Sequence, residues 1–315
     1  MSLRIRAYEP TEVDRWNDFV GRSRNGTFLF HRDYMNYHQD RFSDASLVVE
    51  TEGGDWLAIL PASKHGDELR SHGGLTYGGF VFGDTMSAPR MLETFEVLRD
   101  HLRGQGIAKL VYKTIPWIYH RHPSEEDRYA LFRSDAVRTR TDVLSVAIPG
   151  RPLPMQERRR RAVKKATKDG VEWFSGLIPP EYWDMLSEGL QAKHGVQPVH
   201  RYEEIKLLEA RFPRNITFSG ARREGRLLAG VVVYETPQVA HAQYISASDE
   251  GREHGALDFL FERLLVERYR ALPFFDFGIS NEQLGRVLNT GLVEQKEGFG
   301  ARTVVHDFYE LSIPS

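Results

Sequence analysis

Runs of apolar residues separated by glycine, proline and polar residues predict short strands and amphipathic helices along the first half of the chain. Two apolar runs surround Gly53-Gly54 and predict a β-hairpin. A later amphipathic helix can be capped by Ser87 and ended by Gly104. The other predicted elements of this half are helices over 10–20 and near 31–41, and strands over 45–50, 56–61, 71–82 and 107–112.

The second half repeats this order of elements. Glu224-Gly225 is the predicted turn of a second hairpin, and Leu272-Pro273 ends an amphipathic helix. The elements predicted here are strands over 216–221, 227–234, 240–245 and 274–277 and a helix over 254–269. Both halves run hairpin, strand, helix, strand, which indicates an α/β fold with mixed strand directions. The repetition favours a duplicated unit over the same order arising by coincidence, since many α/β domains share it.

The length of 315 residues accommodates two domains of roughly 150 residues each. We predict domains at 1–150 and 151–315, with a basic segment over 151–170 at the start of the second. That segment holds eight Lys and Arg residues against two acidic residues, and its part 155–168 predicts a helix. The net charge of the whole chain is −2, so any attraction to a polyanion must be local.

The residue types present restrict the chemistry. The chain has no cysteine, which excludes disulfides, thiolate metal sites and a cysteine nucleophile. His120 and His122 have no third ligand near them in the sequence, so we predict no metal site. The N-terminal residues contain no apolar run of signal-peptide length, which predicts a cytoplasmic protein.

Several segments, in order along the chain, resemble the FemAB-type transferases. The basic run 159–171 is similar to the helix that opens the second domain of that family. Phe274-Phe-Asp-Phe-Gly278, followed by Lys296-Glu-Gly-Phe-Gly300, resembles the family's C-terminal signature. Further similar segments are 26–28, 60–61, 73–80 and 193–198.

The resemblance implies two tandem GNAT-like domains with mixed, largely antiparallel sheets, flanking helices and one working site in a cleft. Known members transfer amino acids from aminoacyl-tRNA to cell-wall precursors. Relatives are N-acyltransferases of the acyl-CoA type, some of them associated with polysaccharide or lipid modification. The chain lacks the long heptad-patterned helical insertion that several cell-wall enzymes carry, which favours acyl-CoA over tRNA as the donor.

Acyl transfer to an amine requires aligned reactants, removal of a proton and stabilisation of a developing oxyanion. Asp276 at a strand end is our candidate base, and a carboxylate that caps the next turn is the alternative. Lys296 is the candidate for stabilising the developing negative charge or for binding a donor phosphate, and an ordinary solvated lysine is the alternative. Tyr244 is assigned to catalysis and Gln243 to substrate binding; since strand residues alternate, one should reach the cleft and the other the core.

Simple GNAT enzymes bind the coenzyme A pyrophosphate at a glycine-rich helix start, where free N–H groups and the helix dipole favour phosphate. Arg252 and Gly255 occupy the corresponding place here. Leu257 replaces a small residue and the neighbouring carboxylates repel phosphate, so an ordinary helix start is the alternative. Four further residues complete the predicted cofactor site: Ser280, Asn281, Lys164 and Lys165.

Three more residues are predicted to contact substrate. Tyr77 lies among glycines that either allow a substrate chain to approach or form strand bulges. His194 is predicted to lie in a loop beside Gly195, where a solvated histidine is the alternative. Arg161 shares one side of the basic helix with Lys164, Lys165 and Lys168, and this side either clamps phosphates or is a solvated face.

Together these features predict an N-acyltransferase. The predicted donor is acyl-CoA, with aminoacyl-tRNA as the alternative, and the acceptor is a primary amine on a sugar, an amino acid or a lipid-linked precursor. Direct attack in a ternary complex is expected, because no cysteine or serine elbow offers a covalent intermediate. Two other classes stay open: a nucleic-acid-binding module that uses 158–168, and a catalytically silent protein that keeps the fold.

Overall fold

A computed structural model describes residues 3–71 and 73–314, apart from the side chain of His194. The strands in these ranges are β1 (Leu3–Ala7), β2 (Ser43–Asp44), β3 (Leu47–Thr51), β4 (Trp56–Leu60), β5 (Ser63–His65), β6 (Glu68–Arg70), β7 (Val81–Phe82), β8 (Lys109–Lys113), β9 (Val137–Ala147), β10 (Glu172–Gly176), β11 (Ile216–Arg223), β12 (Arg226–Glu235), β13 (Val239–Ala247), β14 (Phe274–Ile279), β15 (Asn281–Glu282), β16 (Val287–Leu288) and β17 (Arg302–Ser312). The α-helices are α1 (Val13–Arg22), α2 (Arg32–Met35), α3 (Ala88–Gly104), α4 (Glu126–Arg133), α5 (Glu157–Lys168), α6 (Pro180–His194), α7 (Tyr202–Arg211), α8 (Asp249–Glu253), α9 (Ala256–Arg263) and α10 (Thr290–Glu297). None of the helices in the described ranges has the length and hydropathy needed to cross a membrane.

The chain divides into two compact units, and the first comprises Met1–Asp142, Leu284–Arg286 and Val305–Ser315. It contains the antiparallel sheet β1-β3-β4-β7 and the strand order β17-β8-β6-β5-β2, in which only β6 and β8 run parallel. The apolar face of α3 closes the core of this unit through four buried residues: Met91, Phe95, Leu98 and Leu102. Removal of such apolar surface from water, at about 25 cal/mol per Å², is the main force that holds the unit together.

The second unit comprises Val143–Gln283 and Val287–Val304. Its sheet has the order β10-β11-β12-β13-β14-β9, and every neighbouring pair is antiparallel except β13 and β14. Ala240 and Ala242 of β13 belong to the apolar core that α9 shares, so strand alternation places His241 on the opposite face of the sheet. Asp276 of β14 lies opposite His241 in the register and shares that face.

A cluster of four phenylalanines fixes the C-terminal part of the second unit. Phe261 of α9 contacts Phe277 of β14 and Phe299 at ring-centroid distances of 4.9 and 5.2 Å. Phe277 and Phe299 stack 5.8 Å apart, and Phe275 completes the cluster. Each aromatic pair contributes about 0.5–1.5 kcal/mol beyond its buried area. The cluster therefore holds α10, which immediately precedes Phe299, against β14.

The basic segment forms α5, as predicted, and packs against α9. Gly255, the residue before α9, has φ +67°, and a Cβ there would lie 2.9 Å from the carbonyl oxygen of Ala162. Glycine is thus required both by the backbone conformation and by the close approach of α5. Arg159 of α5 adds an ion pair of 2.8 Å to Asp258 of α9.

The structure confirms the predicted mixed α/β class with largely antiparallel strands, and it corrects four local predictions. Among residues 71 and 73–82 of the predicted strand over 71–82, only Val81–Phe82 is a strand, because Gly74 and Gly79 adopt positive φ values that interrupt pairing. Ser87 occupies the N-cap of α3 but its side chain makes no capping hydrogen bond. The predicted helix near 31–41 is α-helical only over Arg32–Met35. The predicted helix over 254–269 begins at Asp249 instead, breaks at Gly255 and ends in a π-helical turn over Leu264–Arg268.

Candidate functional site

The site is built where two parallel strands of the second unit separate. The register of β13 with β14 comprises three pairs and ends at His241 opposite Asp276, although both strands continue beyond this point. Just after the last pair, β13 has a bulge in its pairing with β12, and Gln243 is the extra residue. A bulge bends its strand and increases the local twist, so it turns β13 away from β14. The separation leaves room for a ligand within the sheet.

A cavity of about 360 Å³ occupies this part of the second unit. Its apolar wall includes Leu257, Phe261, Phe277 and Phe299. Its polar groups come from α6, β13, α8 and α10: Lys193, Ser246, Arg252, Gln295 and Lys296. An apolar wall with a few convergent polar groups is typical of small-molecule sites. Of the residues predicted from the sequence, Arg252 and Lys296 line this cavity.

Lys296 is buried at the cavity, with 6% of its surface exposed. Its Nζ donates to the carbonyl oxygens of Gly278 and Ile279 at 3.0 and 2.6 Å and to Ser280 Oγ at 3.0 Å. Burial lowers the pKa of this ammonium to about 8, and the negative charge of Asp276 opposes the shift. Lys296 is therefore a poorly solvated cation held by neutral oxygens, which is unlike the solvated lysine considered from the sequence.

Asp276 is 1% exposed, and both of its carboxylate oxygens are engaged. Oδ1 accepts a hydrogen bond from the backbone N–H of Gly278 at 2.8 Å. Oδ2 lies 2.9 Å from Nδ1 of His241. One oxygen thus caps the following turn, which is the alternative considered from the sequence, and the other is bound to a histidine. His241 was not among the residues predicted from the sequence.

Neither Tyr244 nor Gln243 lines the cavity. Tyr244 is buried, packs against Trp183 with ring centroids 5.1 Å apart, and shares a hydrogen bond with Nδ1 of His200. Gln243 lies in the bulge, and its Oε1 is buried without a hydrogen-bond partner. We predicted that one of these two side chains faces the cleft and the other the core, because side chains alternate along a strand. The bulge interrupts that alternation.

The turn from β13 into α9 fits a coenzyme A pyrophosphate poorly. The backbone N–H of Gly251 donates to Ser248 Oγ, and those of Arg252, His254 and Gly255 donate to carbonyl oxygens of the same turn. Arg252 itself is paired with Asp249 and donates to the carbonyl of Ala247. These four N–H groups are engaged, whereas those of Ala256, Leu257 and Asp258 in the first turn of α9 have no backbone partner within the described part of the chain. The poor fit therefore comes from the paired Arg252 and from the carboxylates of the turn, which repel a phosphate.

Ser280 and Asn281 serve the backbone around Lys296. Ser280 is fully buried, and its Oγ lies 3.0 Å from both Lys296 Nζ and Ser145 Oγ. Asn281 Oδ1 accepts from the backbone N–H of Val143 at 2.6 Å. These contacts hold the end of β14 in place, so a direct role of the two residues in binding a cofactor stays a prediction.

The basic helix divides into paired and unpaired cations. Lys165 donates to the carbonyl of Glu253 at 2.6 Å, which ties α5 to the end of α8. Arg161, Lys164 and Lys168 are exposed and have no hydrogen-bond or ion-pair partner among the described residues. The unpaired cations form a positive surface on the second unit.

The remaining predicted contacts lie elsewhere or outside the described side chains. Tyr77 belongs to the first unit, is 2% exposed and donates to Thr27 Oγ1 at 3.0 Å, so it is a core residue there. His194 is the last residue of α6 rather than part of a loop, and its side chain is outside the described structure. In residues 3–71 and 73–314, no group of three His, Asp or Glu side chains could hold a metal ion.

A wider opening of about 710 Å³ shares Gly189, Ala247 and Arg252 with the cavity. Four carboxylates line it, against two arginines: Glu181, Asp184, Glu188 and Asp249, with Arg226 and Arg252. This acidic entrance attracts cations and repels phosphates. Sequence reasoning missed it, because three of the carboxylates share one face of α6, which carried no assigned function.

Similarity to known proteins is found at the level of the fold. No protein-family model matches the chain, and no curated protein sequence is detectably similar to it. The structure of FemX is similar, with a TM-score of 0.64, 9% identity and 96% of each chain covered. The C-terminal domain of a protein described as a lysylphosphatidylglycerol synthetase from Agrobacterium fabrum has a TM-score of 0.59 and 14% identity, over 96% of this chain and 92% of that one. A tandem GNAT protein from the clavulanic acid biosynthesis pathway has a TM-score of 0.50 and 15% identity, over 100% of this chain and 99% of that one. The chain therefore has a two-domain, GNAT-like fold similar to the structures of FemX and of the tandem GNAT protein, which is the fold that the sequence resemblance implied.

Proposed function

We propose that the protein transfers an acyl or aminoacyl group from an activated donor to a primary amine by direct attack. The observation that carries this proposal is the cavity at the separation of β13 and β14, with the buried cation of Lys296 at its wall. A positive charge in a poorly solvated site stabilises a developing oxyanion far more than it would in water. The folds of the similar structures support a transferase of this kind.

The acidic entrance supports an amine as the acceptor. At neutral pH a primary amine is a cation, and four carboxylates beside the cavity favour its approach. The acceptor must then lose a proton before or during its attack on the donor carbonyl. Because the three N–H donors of Lys296 Nζ are already engaged, we expect its positive charge, rather than a direct hydrogen bond, to act on the oxygen of that carbonyl.

We propose an aminoacyl ester of tRNA as the donor, rather than acyl-CoA. The β13–α9 turn engages four of its N–H groups internally, pairs Arg252 with Asp249 and carries further carboxylates, so it disfavours the pyrophosphate of coenzyme A. Arg161, Lys164 and Lys168 instead offer an exposed row of unpaired cations, which suits a polyanion. The missing helical insertion, which favoured acyl-CoA in the sequence, removes one way of binding tRNA but not this one.

The proposal is tested by donor preference. The purified protein is incubated with bulk tRNA charged with radiolabelled amino acids, or with labelled acetyl-CoA, and with a panel of primary amines: an amino sugar, a free amino acid and phosphatidylethanolamine. We expect label to pass from tRNA to one of the amines. Transfer from acetyl-CoA alone would overturn the choice of donor, and transfer from neither would favour a catalytically silent binding protein.

Neutralising Arg161, Lys164 and Lys168 of α5 is expected to lower the affinity for tRNA and to make that affinity less sensitive to salt. In the variant Arg161→Gln/Lys164→Gln/Lys168→Gln, the slope of log affinity against log salt should become shallower by about one for each phosphate that the protein no longer neutralises. Fluorescence anisotropy of labelled tRNA at several salt concentrations measures this. The control replaces three exposed arginines of the first unit, Arg90, Arg103 and Arg133, by glutamine and should keep the slope of the unaltered protein.

A further inference from the structure

We propose that His241 is the general base of the transfer reaction and that the buried carboxylate of Asp276 positions it. This inference rests on the acyl transfer proposed above and adds the group that removes the proton from the acceptor. It assigns to Asp276 a positioning role in place of the base role predicted from the sequence.

The hydrogen bond between the two residues fixes the imidazole tautomer. An ionised carboxylate only accepts hydrogen bonds, so Nδ1 of His241 carries the proton in its 2.9 Å contact with Asp276 Oδ2. In the neutral ring, Nε2 then holds the free lone pair. Nε2 has no hydrogen-bond partner among the described residues and is not sealed from solvent, and the side chain keeps 11% exposure. A lone pair that is oriented and accessible is what a general base requires.

Asp276 is poorly placed to act on a substrate directly. Its side chain is 1% exposed, and its two oxygens bind Nδ1 of His241 and the N–H of Gly278. Reaching a substrate would break at least one of these bonds in a buried place, which costs about 1–3 kcal/mol for each unsatisfied group. Its carboxylate can instead stabilise the imidazolium that forms when His241 accepts a proton.

The imidazole and Lys296 converge on one residue, Gly278. A Cβ added to Gly278 would lie 3.5 Å from Cε1 of His241, the ring atom between the two nitrogens. The carbonyl of the same glycine accepts a hydrogen bond from Lys296 Nζ, which lines the cavity. Gly278 has φ +77° and no side chain, so this residue places no side chain against the ring. His241 and Gly278 are not part of the cavity wall; they adjoin it through Lys296. A base and a cation on two sides of one glycine can serve opposite ends of the same reacting bond.

The step balances without any further reactant. The nitrogen of the unprotonated amine attacks the carbonyl carbon of the donor ester, a C–N bond forms, and negative charge develops on the carbonyl oxygen near Lys296. Nε2 of His241 takes one proton from the nitrogen as the bond forms. Collapse of the intermediate breaks the bond between the carbonyl carbon and the leaving oxygen, and the imidazolium returns the proton to that oxygen. An amide and a free hydroxyl result, and His241 is neutral again.

The test compares variants of the full chain under the assay conditions described above. His241→Asn retains an amide that can donate to Asp276 but has no lone pair of suitable basicity, and we expect kcat to fall about 10²- to 10⁴-fold with KM unchanged. Asp276→Asn is expected to lower kcat as well. Because Asp276 acts through His241, the double variant should lose no more than His241→Asn alone. Added imidazole should restore part of the activity of His241→Gly.

The control is His306→Asn. His306 is a buried strand histidine of the first unit whose Nε2 is 2.8 Å from the carbonyl oxygen of Thr114 rather than bonded to a carboxylate. It should keep kcat, and thermal unfolding should show that each variant is folded. Two results would overturn the proposed roles of His241 and Asp276. The first is that the unaltered protein makes product while His241→Asn keeps a kcat within about twofold of it. The second is that the fold-loss of kcat in the double variant equals the product of the fold-losses in the two single variants. The absence of product from the unaltered protein with both donor classes would instead refute the proposed function.

Discussion

Replacing Lys296 by methionine is expected to lower kcat about 10²- to 10³-fold while the protein stays folded. Methionine keeps the length and the apolar stem of the side chain but removes the charge. The transition state for acyl transfer carries negative charge on the carbonyl oxygen, and Lys296 is the lysine that lies buried at the cavity wall. Since the three hydrogen bonds of Nζ go to neutral oxygens, its positive charge is not cancelled by a direct ion pair.

The matched control is Lys113→Met in the first unit. Burial lowers the pKa of Lys113 to about 8 as well, and its Nζ donates to the carbonyl of Leu75 at 2.5 Å. Both lysines are thus buried ammonium groups with a lowered pKa, although Arg140 and Asp142 act on Lys113 and Asp276 acts on Lys296; only Lys296 belongs to the proposed site. Steady-state rates with charged tRNA should fall for Lys296→Met and stay unchanged for Lys113→Met. Equal losses in both variants would show that the effect comes from the fold rather than from the reaction.

The pH dependence of the free energy of unfolding of Lys296→Met tests whether burial lowers the pKa of the Lys296 ammonium. Because the pKa of Lys296 is about 8 when folded and 10.5 in its ordinary state, the unfolded chain binds more protons at this group between these pH values. The free energy of unfolding therefore rises with pH across this window, by about 3 kcal/mol for a complete shift. Lys296→Met lacks this contribution, so its stability relative to the unaltered protein should decline from pH 8 to pH 10.5. Urea unfolding at both pH values measures the change, and a constant difference would contradict the lowered pKa.

Much of the framework could be predicted from the sequence because its signals are local. The hairpin of β11 and β12 surrounds a two-residue turn, Glu224-Gly225, and both residues adopt positive φ. The basic helix α5 lacks glycine and proline, and it forms within one or two residues of the predicted bounds. The long strands β9 and β17 were not predicted, since charged residues interrupt their apolar alternation.

The candidate site was only partly predictable because it depends on register. Asp276 and Lys296 stand in segments that resemble a family signature, and both prove to be buried beside Gly278. His241 lies 35 positions before Asp276, and only the parallel pairing of β13 with β14 brings the two together. Nothing in the spacing of the residues along the chain shows that the pairing of β13 with β14 ends at His241 and Asp276. The bulge at Gln243 was likewise invisible, and it invalidated the alternation used to place Tyr244.

Replacing Gly255 by alanine is expected to destabilise the protein by about 2–5 kcal/mol. A residue with a Cβ costs about 1–2 kcal/mol at the φ of +67° found here. The new methyl group would also lie 2.9 Å from the carbonyl oxygen of Ala162, and such overpacking typically costs about 1–3 kcal/mol. The helix α5 must then move away from α9, so the variant should also bind tRNA less tightly than the unaltered protein.

The control for this prediction is Gly104→Ala at the end of α3. A Cβ there meets nothing within 4 Å and the backbone is not left-handed, so alanine should be neutral or slightly stabilising. Urea unfolding separates the two variants. If Gly255→Ala kept full stability, α5 could be displaced without cost, and the cations of α5 would not be held in a fixed place. Rigid packing of α5 on α9 is what allows Arg161, Lys164 and Lys168 to act as one surface toward a polyanionic donor.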